Sequence, residues 1–155
     1  MPEGLAPGVH WFPAADPIHR YLVAGSGPVC IVNPGRCGTG REYRRMPALE
    51  DCLTMIYLAP ADGPDLSVET QVRLLHAVVS RLGGQPPLIF GDGSGCRAAM
   101  GFVLRHPELV AGLILYRSAV DPSAGAHPVD LQALPAEVPL LIIDPPSGFA
   151  GGDVA

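Results

Sequence analysis

Six short, largely apolar segments recur along the chain, and polar or helix-forming segments separate them. None has the strict alternation of a strand with one wet face, so each is typical of a strand buried on both sides. Strands of that kind occur in parallel sheets that helices cover on both faces. The sequence therefore predicts an α/β fold with a mostly parallel sheet of about six strands flanked by helices, at 20–24, 29–33, 53–59, 87–90, 110–116 and 139–143.

The connections between these segments carry helix and turn signals. Ser67 stands where it can cap a helix that Gly83 would end, and a second helix is predicted from Cys96 to Arg105. Gly-Ser-Gly-Pro between the first two strands predicts a hairpin or a pair of adjacent strands. A short helix is expected within 40–51.

Both ends of the chain lack such signals. Residues 1–19 are rich in proline and alanine, and an irregular arm is expected there. Residues 145–155 offer little to pack and are expected to form a mobile tail. With 155 residues, the whole chain (1–155) is predicted to be a single domain.

Composition and charge exclude several classes of protein. Hydrophobic residues make up 48% of the chain and charged residues 16%, so it has a core to bury and is not disordered. The net charge is −5, and the ten basic residues, all arginine, are mostly scattered, which argues against nucleic acid as a partner. No apolar run reaches the roughly 18 residues that a membrane helix requires, and the N-terminus lacks a leader pattern. A soluble, cytoplasmic protein without a membrane partner is expected.

The cysteines have neither the spacing of a redox motif nor the density of a disulfide scaffold. The histidines do not cluster with them at the short spacings of a zinc site. No metal and no cofactor is predicted. The four thiols are expected to be free and buried: Cys30, Cys37, Cys52 and Cys96.

One segment carries most of the functional information: LIFGDGSGCRAAMGFVLRHPELVAGLILY, residues 88–116. A glycine-rich turn lies between a strand and a helix, and Arg-His-Pro-Glu returns the chain to a strand. This arrangement resembles the α/β-hydrolase family, in which a strand leads into a G-x-S-x-G nucleophile elbow. The resemblance covers about residues 20–144, since GSGP and VCIVNPG resemble the run before the family's oxyanion loop and LPAEVPLLII resembles the strand near its acid.

The resemblance assigns the apex of the elbow to Gly93, with Gly91 and Gly95 two places to either side. The family's nucleophile needs a side-chain oxygen, sulfur or carboxylate at the apex, and glycine has none. We therefore expect no acyl-enzyme at Gly93. Glycine also adopts a positive φ at the apex without strain.

The resemblance implies a histidine base and an acid as well, and the sequence departs from that pattern. No histidine follows His127, whereas the family's base follows a late strand. Asp121, Asp144 and Asp153 are candidates for the acid, but an acid without a base has nothing to orient. Asn33 stands where the family often has a histidine before its oxyanion loop. A truncated, cap-less α/β hydrolase without the Ser-His-Asp triad is expected.

The last strand of such a sheet would leave an exposed edge. An uncovered strand edge pairs readily with other chains. We expect this edge to be covered either by the N-terminal arm, through Trp11 and Phe12, or by a second copy of the chain in a homodimer.

Three residues of the turn could still carry chemistry, and for each we prefer a structural role. Ser94 could be a displaced nucleophile, but an N-cap for the helix is the simpler prediction. Asp92 could be a general acid or base if its surroundings are dry, and is otherwise a solvated turn residue. Cys96 opens the helix, where the dipole lowers a thiol pKa, yet its place in the pattern is that of a packed small residue.

The five histidines offer weaker signals. His106 belongs to the Arg-His-Pro-Glu run and is expected to be structural, and His76 is expected to face solvent or be half-buried within its helix. His10, His19 and His127 lie in segments predicted to be irregular, from which each could reach a pocket.

Three hypotheses of function follow. In the first, a hydrolase-like protein without serine chemistry binds a small apolar ligand or a partner at the carboxyl ends of the strands, with or without a non-covalent cyclisation, elimination or isomerisation. In the second, Ser94 is the relocated nucleophile of a true ester or thioester hydrolase. In the third, the GDGSG turn binds a nucleotide. Two residues do not match that motif, since Cys96 stands at the place of its third glycine and Arg117 at the place of the acidic residue that binds the ribose. The residues predicted to bind the ligand in the first are Asn33, Pro34, Gly35, Gly93 and Ser94.

Overall fold

A computed structural model describes residues 6–11, 20–34, 45–59, 67–116 and 131–143. These residues form a seven-stranded sheet, one strand more than predicted, with the order β1-β2-β4-β3-β5-β6-β7. The strands β3 to β7 run parallel to one another, and β1 and β2 are antiparallel to their neighbours. The strands are Gly8–Trp11, Arg20–Gly25, Val29–Asn33, Thr54–Leu58, Leu88–Asp92, Gly112–Tyr116 and Leu140–Ile143, and the α-helices α1 to α3 are Pro47–Glu50, Val68–Leu82 and Gly95–Arg105.

The two strands predicted as neighbours, β2 and β3, are separated by β4, so that prediction is wrong. The turn between them instead contacts the first residue of β4, Thr54. The Thr54 N–H donates to the Pro28 carbonyl at 2.9 Å, and the Thr54 hydroxyl donates to the Gly27 carbonyl at 2.8 Å. A Cβ at Gly27, which has a φ of +125°, would collide with the carbonyl of Cys52. A local turn signal cannot show that a distant segment will pack against the turn.

An irregular arm was predicted for residues 1–19, and part of it is regular. Gly8–Trp11 forms the edge strand β1 beside β2. It was also a candidate to cover the C-terminal edge of the sheet. That hypothesis is wrong for β1, which lies at the opposite end of the sheet from β7.

Two hydrophobic clusters cover the two faces of the sheet. The larger contains the apolar sides of α2 and α3, which pack on strand residues such as Ile31, Ile89 and Leu115. The smaller is built around Met55 and Phe90, with α1 packed against it. Each buried strand supplies side chains to both clusters, which explains the continuous apolar runs in the sequence.

Helix α2 begins and ends as the sequence predicts. The Ser67 side chain accepts a hydrogen bond from the Thr70 N–H at 3.1 Å, and Gly83 closes the helix in the left-handed region with a φ of +45°. The strand β7, by contrast, was predicted to be buried, and its four residues are 40–52% exposed. The reason is its place at the end of the sheet, which the sequence of the strand does not reveal.

Candidate functional site

The turn between β5 and α3 lies at the carboxyl ends of the parallel strands. Gly93 has a φ of +57°, and Ser94 after it already has helical angles, with φ −63° and ψ −19°. The Gly93 N–H donates to the carbonyl of Tyr116 at 2.9 Å, and the Gly93 carbonyl accepts from the Cys96 N–H at 3.1 Å. The positive φ identifies Gly93, not Ser94, as the apex of the elbow, as predicted.

The glycines on either side of the apex are required by packing. A Cβ at Gly91 would lie 2.7 Å from the Cα of Cys96. A Cβ at Gly95 would collide with the Asn33 carbonyl oxygen and lie 2.9 Å from the backbone of Pro34. Helix α3 can therefore start this close to the ends of β3 and β5 only when both flanking residues lack a side chain.

The apex itself is sterically open. A Cβ at Gly93 would meet no heavy atom of the described part of the chain within 4 Å, apart from its chain neighbours. Among the described residues, nothing blocks a side chain at this position. The backbone thus has the geometry of a nucleophile elbow, whereas the residue at its apex has no nucleophilic atom.

Asn33 ties the turn to the rest of the fold. It is 4% exposed at the end of β3, and its amide group donates to the side-chain oxygen of Gln71 at 3.1 Å and to the carbonyl of Gly95 at 3.0 Å. The predicted ligand-binding residues Asn33, Pro34, Gly93 and Ser94 come together here. The amide nitrogen of Asn33, however, is engaged within the protein.

Asp92 is not the solvated turn residue that the sequence predicts. It is the last residue of β5 and is 6% exposed. The cause is the register, since Asp92 lies opposite Tyr116 within the β5–β6 ladder and not beyond its end. Asp92 is thus a buried residue directly before the apex, which keeps it a candidate for general acid–base chemistry.

Ser94 does not cap α3, so that prediction is wrong. Its side chain makes no capping hydrogen bond, and its backbone is helical, whereas a capping residue has extended angles. Ser67 shows the difference, because its ψ of 152° turns the hydroxyl back toward the first turn of α2. The Ser94 side chain is exposed.

The thiols are free wherever the structure describes them. Cys96 is a packed residue, as predicted, and its thiol is placed to donate to the carbonyls of Gly91 at 3.2 Å and Tyr116 at 3.5 Å. Cys30 is fully buried, which raises the pKa of its thiol to about 12. Cys52 is exposed, contrary to the prediction, because it lies in the turn before β4.

The described histidines lie away from the elbow. His76 is exposed, in agreement with the sequence, and its ring centroid lies 4.7 Å from that of His106, which follows the last residue of α3. Since α3 has 11 residues, that end is about 16 Å from the turn. His10 lies in β1 rather than in an irregular segment, and its ring stacks on Tyr21 at 5.1 Å.

Several predicted residues lie outside the described ranges, so their positions stay predictions. They are the ligand-binding candidate Gly35, the acid candidates Asp121, Asp144 and Asp153, and Phe12, His19, Cys37, Arg117 and His127.

One polar cluster on the α1 face was not predicted from the sequence. The buried Tyr57 hydroxyl donates to the Glu50 carboxylate at 2.8 Å and accepts from the Met46 N–H at 2.8 Å, while Arg45 forms a bidentate ion pair with Glu50. Burial raises the pKa of Tyr57 to about 12, and the hydrogen bond from Arg45 holds the pKa of Glu50 below its usual value. A tyrosine inside an apolar strand was the available signal, because a buried phenol needs a polar partner.

The described residues contain neither a cluster of metal ligands nor a membrane-spanning helix. No group of three or more histidine, cysteine, aspartate or glutamate side chains among them could hold a metal ion. No helix in the same ranges is both long and apolar enough to cross a membrane.

Comparison with protein-family models and with curated proteins gives no match. Solved structures do match. A candidate epoxide hydrolase from Pseudomonas aeruginosa has a TM-score of 0.59 at 21% identity, over 81% of this chain and 47% of that one. A meta-cleavage product hydrolase has a TM-score of 0.58 at 22% identity, over 71% and 45%. A bacterial membrane phospholipase A has a TM-score of 0.57 at 21% identity, over 71% and 40%.

This chain thus spans about half the length of the structures it resembles, and identities this low are evidence of a shared fold only. The three structures are enzymes of different substrates with one architecture in common. The strand order and the positive-φ turn after β5 agree with that architecture. The chain has the α/β-hydrolase fold that the resemblance in its sequence implied.

Proposed function

We propose that this protein binds a small apolar ligand in front of its elbow and does not form a covalent intermediate there. The observation that carries the proposal is the apex, where Gly93 has a φ of +57° and a Cβ would meet no heavy atom of the described residues within 4 Å, apart from its chain neighbours. We place the ligand where a nucleophilic side chain would lie.

The packing of the turn supports this proposal. The absence of side chains at Gly91 and Gly95 allows β3, β5 and α3 to lie in close contact, and the amide of Asn33 donates to the Gly95 carbonyl. These contacts fix the backbone of the turn without a nucleophile at its apex. Fixed backbone groups can bind a polarised carbonyl without a covalent step. The chemistry compatible with such a site is a cyclisation, elimination or isomerisation, for which the buried Asp92, the residue before Gly93, is a candidate acid or base.

Two matched variants test the binding site. Gly93 and Gly83 both have a positive φ and open space for a side chain, but only Gly93 lies at the elbow. Gly93→Leu fills the proposed site, and we expect it to weaken binding of the anilide analogue of nitrophenyl butyrate by about tenfold, measured by calorimetry. Gly83→Leu has the same backbone strain and should bind normally. Equal binding by both variants would overturn the proposal.

The alternative of Ser94 as a relocated nucleophile is tested separately. Hydrolysis of nitrophenyl butyrate is measured on the wild type, Ser94→Ala and Gly93→Ala. Our proposal predicts no hydrolysis that depends on Ser94. An esterase activity that Ser94→Ala abolishes and Gly93→Ala retains would replace it with the hydrolase alternative.

A further inference from the structure

Tyr116 brings a half-buried phenol to the end of β6, beside the elbow. Its backbone carbonyl accepts a hydrogen bond from the Gly93 N–H at 2.9 Å, and the Cys96 thiol is placed to donate to the same oxygen at 3.5 Å. Tyr116 is thus joined directly to the apex and to the first turn of α3. Its position relative to Gly93 is fixed by the backbone.

Asp92 lies next to Tyr116 in the sheet. The two residues are Cα partners in the parallel ladder of β5 and β6, and neighbouring strands lie about 4.8 Å apart. Side chains alternate between the two faces of a strand, so Asp92 shares a face with Phe90, two residues before it. Tyr116 is on that face as well, because its ring packs on the cluster around Phe90 at a centroid distance of 6.1 Å. A carboxyl group and a phenol therefore project side by side from the strand ends at the apex.

The two groups have complementary proton chemistry. In neutral water a carboxyl group is normally a carboxylate that accepts a proton, whereas a phenol keeps its proton and can donate it. A base and an acid held side by side are what a reaction requires when a proton leaves one atom of a substrate and another proton joins a second atom.

We infer that Asp92 and Tyr116 are an acid–base pair that interconverts the keto and enol forms of a neutral ketone with an apolar chain. The inference rests on the proposed function, since the ketone is bound in front of Gly93. It selects isomerisation among the three reactions compatible with that site and adds Tyr116 to the residues that carry it out.

The reaction balances without a co-reactant. The Asp92 carboxylate takes a proton from the carbon beside the carbonyl group, and the electron pair of that C–H bond forms a C=C bond to the carbonyl carbon. The electrons of the C=O π bond move to the carbonyl oxygen, which takes the phenol proton of Tyr116. Transfer of the proton from the Asp92 carboxyl group to the Tyr116 phenolate, through water, restores both side chains.

The surroundings of the pair favour a neutral, apolar substrate. Asp92 is the one charged residue within 87–96 and 110–116, the segments that contain β5 and β6. A substrate with a carboxylate of its own would be repelled by Asp92 without a neighbouring cation in these segments to compensate. Phe90 and the half-buried Ile114 lie on the same face and offer apolar contacts.

Deuterium exchange in heavy water, followed by proton NMR, tests the inference with benzylacetone as the probe. Each cycle of enol formation and reversal replaces a hydrogen beside the carbonyl group with deuterium from the solvent. Asp92→Asn and Tyr116→Phe should each slow the catalysed exchange by about a hundredfold. The dissociation constant of benzylacetone, measured by calorimetry, should change by less than about twofold in Tyr116→Phe, because the ring that packs on Phe90 remains.

Tyr57→Phe is the matched control. It removes a second phenol from the same face of the sheet, but this phenol donates to Glu50 and lies outside the ladder of β5 and β6. Exchange should continue at the wild-type rate. Circular dichroism shows whether each variant is folded, and the wild-type rate tests the inference even if Asp92→Asn does not fold.

The outcomes separate this inference from the proposed function. Benzylacetone that binds to the wild type but exchanges no faster than in buffer would overturn the inference and leave the ligand site in place. A catalysed exchange that Tyr116→Phe does not slow, or that Tyr57→Phe slows equally, would also overturn it. If the wild type binds neither benzylacetone nor the anilide, the proposed function fails together with the inference.

Discussion

The three glycines of the elbow occupy one turn but are glycines for different reasons. Gly91 and Gly95 lie where any side chain would collide with the backbone of Cys96 or Asn33. Gly93 lies where a Cβ would meet no heavy atom of the described chain except its neighbours. Packing thus dictates the residues that flank the apex and leaves the apex itself free.

This difference separates the architecture of the turn from its chemistry. The contacts that make an elbow are all backbone or flanking contacts: the hydrogen bonds of Gly93 with Tyr116 and Cys96, and that of Asn33 with Gly95. None of them requires a side chain at the apex. A chain can therefore have this fold with glycine at the apex.

The flanking positions should show the largest loss of stability. Gly95→Ala forces a Cβ against the backbone of Asn33 and Pro34, which cannot move without displacing β3. We expect the free energy of unfolding to fall by about 3 kcal/mol or more. Urea denaturation followed by circular dichroism measures the loss. A loss below about 1 kcal/mol would show that the close approach is adaptable and would remove the contrast with Gly93.

The second-largest loss of stability is expected when the side chain of Asn33 is removed. Asn33→Ala removes the donor to Gln71 and Gly95 from a buried site, and the expected loss is about 2 kcal/mol. Gln71→Ala removes only one of these two hydrogen bonds and should cost less. If Gln71→Ala costs as much as Asn33→Ala, the contact with the Gly95 carbonyl contributes nothing to the turn.

Among Gly95, Asn33 and Gly93, the apex Gly93 should lose the least stability on substitution. Gly93→Ala retains the open surroundings and loses only the freedom of glycine at positive φ, which costs about 1 kcal/mol. Gly83→Ala, at a φ of +45° and also in open space, should cost the same. A Gly93→Ala loss close to that of Gly95→Ala would contradict the comparison.

The last expected effect is a pH dependence of stability that arises on the α1 face, away from α3. The pKa of Tyr57 is raised in the folded protein to about 12 from an ordinary value of 10.0. Its contribution to stability is thus complete below pH 10 and is lost as the pH rises toward 12. Tyr57→Phe should reduce the slope of stability against pH in this range.

Cys30 also makes stability fall at high pH, since burial raises the pKa of its thiol to about 12. It is present in both the wild type and Tyr57→Phe. The measurement is therefore the difference between two slopes, obtained from urea denaturation at a series of pH values. Identical slopes would show that Tyr57 does not titrate as its buried position requires. The stability differences among the elbow variants should not depend on pH in this range.

Local features of the fold were predictable from the sequence. The caps of α2 at Ser67 and Gly83 depend on contacts within a few residues. The resemblance of the glycine-rich turn to the family's elbow was enough to place the apex at Gly93, which has a positive φ. The interior of a parallel sheet was equally clear from continuous apolar runs such as 29–33.

The errors concern contacts between distant segments. Asp92 was expected in solvent because the end of β6 at Tyr116, which sets the register, is 24 residues further along the chain. Leu140–Ile143 was expected to be buried because an edge strand and a central strand have the same local composition. The bond between Asn33 and Gln71 joins residues 38 positions apart, with no local signal.

The most direct test of the vacant apex is covalent labelling. The wild type and Ser94→Ala are treated with a fluorophosphonate probe, which reacts with activated serine hydroxyls, and the intact mass of each is measured. Our account predicts no adduct on either folded protein, because Gly93 offers no atom to attack the probe. A single adduct on the wild type that is absent from Ser94→Ala would contradict it and would identify Ser94 as an activated nucleophile.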